Sequence, residues 1–193
     1  MAIPEDLYRG DTDPQSLANQ INDVRGMLWS VGAGAVKVGH VDTWTAWVNP
    51  ANTAVIYASD FIGTDGYPYF QDASINDGYN VFWKSVSDVG SVVGQIKPEA
   101  PIWITETGWP VSGGALGAAM PSVNNARMYW ESVGCKYTFE LSIHNIVRLT
   151  PIFYPGTAFA TMDTFWYTLQ DYTSSPSFGV VDANYAPLFD LAC

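Results

Sequence analysis

The chain has 193 residues, of which 48% are apolar and 15% aromatic, so a disordered polypeptide is excluded and a packed core is expected. Nineteen acidic against eight basic residues give a net charge of −11, and the basic side chains are scattered, so no patch suits nucleic acid or an anionic membrane surface. No apolar run is long enough to span a bilayer.

Eight Trp and eleven Tyr are a surplus that either fills a core or lines grooves where sugar rings stack. A neutral polymer suits such an acidic, aromatic surface better than a polyanion does. The two cysteines, Cys135 and Cys193, are too far apart for a CxxC motif and stand open between a disulfide and two buried thiols. No cluster has metal-ligand spacing, and no cofactor is expected.

The first clear element is a helix. Asp13 suits its N-cap and Pro14 its first position. Leu17, Ile21, Val24 and Leu28 recur at three- and four-residue spacing as one apolar stripe, and Gly32 and Gly34 end it. A strand over 35–41 follows and runs into Asp42, Thr43, Trp44 and Trp47. A short helix near 51–58 leads to a strand at 61–63, which ends in Asp65, Tyr67, Pro68, Tyr69 and Phe70. A longer helix over 75–93 turns Val81, Phe82, Val86, Val89 and Val93 inward. The strand 101–105 ends in Glu106, Thr107, Gly108, Trp109 and Pro110. Another helix starts at Ser122 and carries Val123, Ala126, Trp130 and Val133. A last strand over 164–169 ends in Gln170 and Asp171.

Strands alternating with helices predict βαβ units and a parallel sheet. Polar and aromatic residues gather after each strand, which is the catalytic face of a (β/α)₈ barrel. A doubly wound sheet has the same polarity, but no glycine-rich phosphate loop follows the first strand, so the barrel is preferred.

Two carboxyl groups about 5 Å apart across a glycosidic bond would make a retaining glycosidase. They can be distant in sequence if each ends a strand. Glu106 follows an apolar strand and precedes a Gly-Trp-Pro turn; Glu5 follows Met1-Ala2-Ile3-Pro4, which reads as a strand tail. Tyr67, Trp44 and Trp166 are open between core packing and substrate lining. Asp42 is open between a helix cap and a ligand for sugar hydroxyls, and His40 reads as structural.

The segment Ile104-Thr105-Glu106-Thr107-Gly108-Trp109-Pro110 resembles the nucleophile signature of glycoside hydrolase family 17, the endo-β-1,3-glucanases. Residues 5–10, Val38 to Trp44, Tyr67 to Phe70, Thr164 to Tyr167 and Leu188 to Cys193 resemble its fungal cell-wall members. The resemblance implies an α/β fold, a (β/α)₈ barrel with its acid/base after strand four and its nucleophile after strand seven. It implies Glu106 as nucleophile, Glu5 as acid/base, and Asp42, Trp44, Tyr67, Trp109 and Trp166 at the sugar. It further implies hydrolysis of β-1,3-glucan by a monomer that is secreted or in the cell wall, with a Cys135–Cys193 disulfide. Transfer of the glycosyl unit to another sugar, and a silent glucan-binding remnant, are the alternatives.

Two departures from that family stand out. A whole barrel takes about 250 residues, and residues 1–193 correspond to the end of strand four through strand eight, so a partial barrel in one truncated domain is expected. Residues 136–162 also have no counterpart in the family. They carry Lys136 and Arg148 against a single acid, Glu140, and suit either an unspliced in-frame intron or a true loop.

Overall fold

The computed structural model describes residues 6–134, 162–171 and 173–192. Glu5, Cys135, Cys193 and all but Met162 of the 136–162 insert lie outside these described residues. The described residues divide into two compact units. The first comprises 6–66, Lys84–Thr105 and Met162–Thr164, and the second 67–83, 106–134, 165–171 and 173–192. Each is taken by itself.

The first unit opens with a single turn, α1 (Asp6–Arg9), and a long helix, α2 (Pro14–Ser30). The sequence signals hold here. The Asp13 carboxylate accepts from the backbone N–H of Gln15 (3.1 Å) and Ser16 (3.0 Å), taking up two of the unpaired donors at the helix start. Leu17 and Ile21 of the stripe are buried, while Val24 and Leu28 pack on the core from its margin. Strand β1 (His40–Thr43) then leads into α3 (Trp44–Trp47), a 3₁₀ turn at Pro50–Asn52, α4 (Thr53–Ala58) and strand β2 (Ile62–Asp65).

β1 is shorter than the 35–41 run and begins later, at His40. Its parallel register pairs His40 with Ile62 and Thr43 with Asp65, so residues before His40 have no strand opposite them. Val38 is held instead by Asp60, whose carboxylate accepts the Val38 N–H (2.9 Å) and whose own N–H donates to the Val38 carbonyl (2.7 Å). The Asp60 carboxylate also meets the Arg25 guanidinium at 3.1 Å, tying the strand entry to α2.

Helix α5 (Gly78–Ile96) follows, and strands β3 (Ile102–Thr107) and β4 (Thr164–Trp166), whose last two residues each belong to the second unit, complete the sheet. Its strands are hydrogen-bonded neighbours in the order β1-β2-β3-β4. Neighbours that follow sequence order, without the reversal of a doubly wound sheet, are the winding of a βα barrel. The core of this unit joins Leu17, Trp47, Val55, Ile56, Ile62, Val89, Val93 and Ile102. Trp47 is fully buried and its indole N–H donates to the Gly63 carbonyl at 2.7 Å, which satisfies its only polar atom. Gly63 must be glycine, because a Cβ there would lie 2.6 Å from a Val41 methyl and 2.9 Å from that of Thr105.

The second unit has an aromatic core. Helix α6 (Val123–Tyr129), N-capped by the Ser122 hydroxyl on the Asn125 N–H (3.0 Å), widens into a π turn at Trp130–Gly134. Tyr129 is fully buried, its hydroxyl sharing a 2.9 Å hydrogen bond with that of Thr107, and burial pushes its phenol far above the usual range. Around it lie Phe82 (ring centroids 6.4 Å apart), Trp109 (5.7 Å) and Trp166 (5.6 Å). Much of the aromatic surplus therefore fills a core.

Candidate active site

Glu106 is the penultimate residue of β3. The alternation of a strand sends its neighbour Thr107 into the buried core against Tyr129 and leaves Glu106 half-exposed on the opposite side. Its Oε2 accepts a hydrogen bond from the Tyr67 hydroxyl at 2.8 Å. Tyr67 directly precedes the 3₁₀ turn Pro68–Gln71, where proline fixes the entry of the chain.

Tyr67 is itself packed edge-on by three rings: Phe178 at 5.4 Å, Phe70 at 5.6 Å and Tyr167 at 6.1 Å between centroids. Edge-to-face contact at these distances is the favourable quadrupole arrangement. The phenol is therefore aimed by its surroundings as well as by its hydrogen bond. Phe178 is buried, whereas Phe70 and Tyr167 are 56% and 40% exposed and offer aromatic surface beside the carboxylate. Burial foremost, then the negative charges of Glu106 and Asp171, hold the Tyr167 phenol above its usual range. It stays a neutral donor at any ordinary pH. A carboxylate oriented by a phenol in this way has the chemistry of a nucleophile or of a general base.

The other residues expected at the substrate divide sharply. Tyr67 joins Glu106. Trp109 does not line a surface: it is 1% exposed, its indole N–H donates to the Met120 carbonyl (3.1 Å), and its ring packs on Tyr69 and Tyr129. Burial of that large ring with its polar atom satisfied makes it a core residue. Trp166 is half-buried between Tyr129 and Trp130, 4.8 Å from the latter ring.

Asp42 and Trp44 belong to the first unit. Asp42 is fully buried, and its carboxylate accepts from the N–H groups of Leu7 (2.9 Å) and Thr43 (2.8 Å) and meets His40 Nε2 at 3.1 Å. Those partners occupy both oxygens, so Asp42 anchors α1 to β1 instead of meeting solvent. Trp44 lies half-buried against the core of its unit. His40, read as structural, is 1% exposed and edge-on to Trp47. Asp6 is buried beside this pair. Its burial raises the carboxyl above the usual range, opposed by His40 and Arg9 and reinforced by Asp11 and Asp42.

Sequence reasoning passed over Tyr167, Phe70 and Phe178 as site residues. Phe70 stood in the same strand-end cluster as Tyr67, whereas Tyr167 fell inside the expected strand over 164–169, which in the structure stops at Trp166. Phe178 lies in no strand and gave no signal. Among the described residues no group of His, Cys, Asp and Glu is arranged to hold a metal ion, and no helix is long and apolar enough to cross a membrane.

The sequence pattern of the BtgE/BtgC glycoside hydrolase domain matches residues 4–174. The probable glucan endo-1,3-beta-glucosidase of Aspergillus fumigatus is 39% identical across 98% of this chain and 41% of its own length. The glucan 1,3-beta-glucosidase of Saccharomyces cerevisiae is 33% identical across 68% of this chain and 44% of its own. The chain thus spans about two fifths of the length of the curated relatives it matches. Among solved structures, the glycoside hydrolase family 17 β-1,3-glucanosyltransferase of Rhizomucor miehei superposes with a TM-score of 0.69 at 25% identity, over 97% of this chain and 60% of that one.

Proposed function

This chain belongs to the BtgE/BtgC glycoside hydrolase family, and we propose that it cleaves internal β-1,3-glucosidic bonds of cell-wall glucan with retained configuration, Glu106 being the nucleophile. The observation that carries this reading is the Glu106 carboxylate, held by the Tyr67 hydroxyl at 2.8 Å beside exposed aromatic rings. The four strands are read as strands five to eight of the family's barrel, whose sugar-binding face lies at the C-terminal ends of its strands. Glu5 is assigned as acid/base from the motif alone, and Trp44 and Trp166 remain candidates for distal sugar contacts.

In the first step the Glu106 carboxylate attacks the anomeric carbon and the glycosidic bond breaks. The departing oxygen takes the proton of Glu5. In the second step Glu5, now a carboxylate, removes a proton from water. That water attacks the same carbon, the ester to Glu106 breaks, and both glutamates return to their starting forms. Two inversions leave the product with the substrate's β configuration. Tyr67 keeps the nucleophile turned toward the sugar, and Phe70 and Tyr167 offer ring faces on which glucose units stack.

The test is turnover by the purified monomeric chain on a laminarin-type glucan, with Glu106→Gln as control and the anomer of the first product read by proton NMR. Release of β-configured ends that vanishes in the variant supports the proposal. Binding without turnover points to a glucan-binding remnant. Products longer than the substrate mean transfer to a second glucan, the activity named for the Rhizomucor relative. A glucan substrate implies a secreted or wall-bound protein, in which Cys135 and Cys193 pair. Peptide mass spectrometry that finds both thiols free removes the disulfide. Residues 136–162 are read as a retained intron, an assignment that transcripts continuous through the segment would sink.

A further inference from the structure

Asp171 lies five residues beyond β4, touches no reacting atom in the mechanism above, and carries none of the family-like motifs. Its surroundings are nevertheless built around its charge. Oδ1 accepts from the Ser177 hydroxyl (2.7 Å) and the Gly179 N–H (2.5 Å), while Oδ2 accepts from the Phe178 N–H (2.8 Å). Its backbone carbonyl takes the Ser174 N–H at 2.7 Å. Two successive backbone donors on one carboxylate form an anion-binding concavity, here filled from within the chain. Gly179 is matched to it: a Cβ at that position would lie 2.8 Å from Asp171 Oδ1 and 2.9 Å from its backbone nitrogen.

Between those two donors sits Phe178. Its main chain is further fixed by the Thr168 N–H on its carbonyl (3.4 Å) and, two residues on, by the Val180 N–H on the Thr168 carbonyl (3.1 Å). Its side chain, 4% exposed, packs edge-on against Tyr67 and Tyr167 and tilted against Phe70. The ring faces Gly108 as well, where a Cβ would come within 3.3 Å of it. Phe178 thus supports the side of Tyr67 whose hydroxyl holds Glu106.

We propose that Asp171 is a positioning residue for the nucleophile: by clamping the Ser177–Gly179 backbone it sets Phe178 against Tyr67, and through Tyr67 it aims Glu106. The inference rests on the assignment of Glu106 above. It makes Asp171 a determinant of the chemical step and not of glucan affinity, because the chain of contacts ends on the nucleophile.

The charge is what the clamp requires. An amide in its place presents N–H₂ to one of the three donors, so Asp171→Asn loses at least one bond and sets donor against donor. Losing one charge-assisted bond of this kind lowers kcat by about tenfold, with KM changed less than about twofold. A merely structural loss would lower activity alike in every background, so the decisive measurement is a cycle with Tyr67→Phe. If Asp171 acts through Tyr67, Asp171→Asn costs clearly less in the Tyr67→Phe chain than in the wild type. Equal costs in both backgrounds overturn the proposal, and so does an Asp171→Asn chain with unchanged kcat.

Should Asp171→Asn fail to fold, Ser177→Ala removes a single bond to the carboxylate and is read in the same cycle. A second measurement needs no turnover at all. With labelled Phe and Tyr, ring-to-ring nuclear Overhauser contacts between Phe178 and Tyr67 should be present in the wild-type chain and weakened in the folded Asp171 or Ser177 variant. Their persistence there sinks the proposal. A wild-type chain without turnover would count against the glucanase reading alone, with the Asp171 clamp still decided by these contacts.

Discussion

Replacing Tyr67 with Phe removes one oxygen and leaves the ring. Its three edge contacts to Phe70, Tyr167 and Phe178 survive, so the fold and the aromatic wall are preserved. What disappears is the 2.8 Å hydrogen bond to Glu106 Oε2. A bond to a charged group contributes about 1.5–3 kcal/mol, and about 1.4 kcal/mol is tenfold in rate. If half to all of that aims the carboxylate at the anomeric carbon, kcat falls by about threefold to a hundredfold. KM should change little, because the sugar stacks on rings that are still present. The phenol donates to the charged carboxylate, so its loss disfavours that form and the acidic limb of the rate profile moves to higher pH. The assay is initial-rate release of reducing ends from laminarin across the acid range, with thermal melting to show an intact fold. Unchanged kcat and an unmoved acidic limb, at equal Tm, would refute the positioning role of Tyr67.

Other consequences are independent of catalysis. Asp60 is partly buried, which raises its carboxyl, but the Val38 N–H and the Arg25 guanidinium outweigh this and hold it below its usual 3.8. A folded-state value below the unfolded one stabilises the protein above about pH 4 and ceases to do so as the pH falls through the folded value. The Tm advantage of the wild type over Asp60→Asn should therefore be largest near neutrality and shrink below pH 4; a pH-independent gap would contradict this. Ile56 is fully buried in the first unit's core, so Ile56→Ala should cost about 2–5 kcal/mol in urea unfolding, and a loss under about 1 kcal/mol would mean that the site is not close-packed. Tyr129→Phe strips a buried hydroxyl from Thr107 and should cost about 1–2 kcal/mol with kcat nearly unchanged, a split that a role in catalysis would reverse.

Where the sequence carried local physics, it could be read. The Asp13 cap, the Leu17–Ile21 stripe and the inward row Phe82, Val86, Val89 and Val93 are all found in the structure. The place of Glu106 near the end of an apolar strand was legible because the strand and the Gly-Trp-Pro that follows it are local patterns. Side-chain burial was not legible, since it depends on contacts between distant segments. Trp109 and Asp42 sit in strand-end motifs, yet packing against Tyr129 and hydrogen bonding to Leu7 withdraw them from solvent. The start of β1 at His40 is likewise set by its partner strand, which begins at Ile62. Asp171 was visible only as a polar residue after a strand. Its meaning comes from Phe178 and Gly179, whose backbone donors no spacing rule brings to it.

Trapping tests the nucleophile most directly. A β-glucosyl donor carrying fluorine beside its anomeric carbon and an activated leaving group forms the glycosyl-enzyme readily and releases it slowly. After incubation and proteolysis, the mass increment should fall on the peptide carrying Glu106 and be absent from Glu106→Gln. A chain that turns over laminarin yet carries the label on another carboxylate, or reacts without any covalent adduct, would contradict the mechanism.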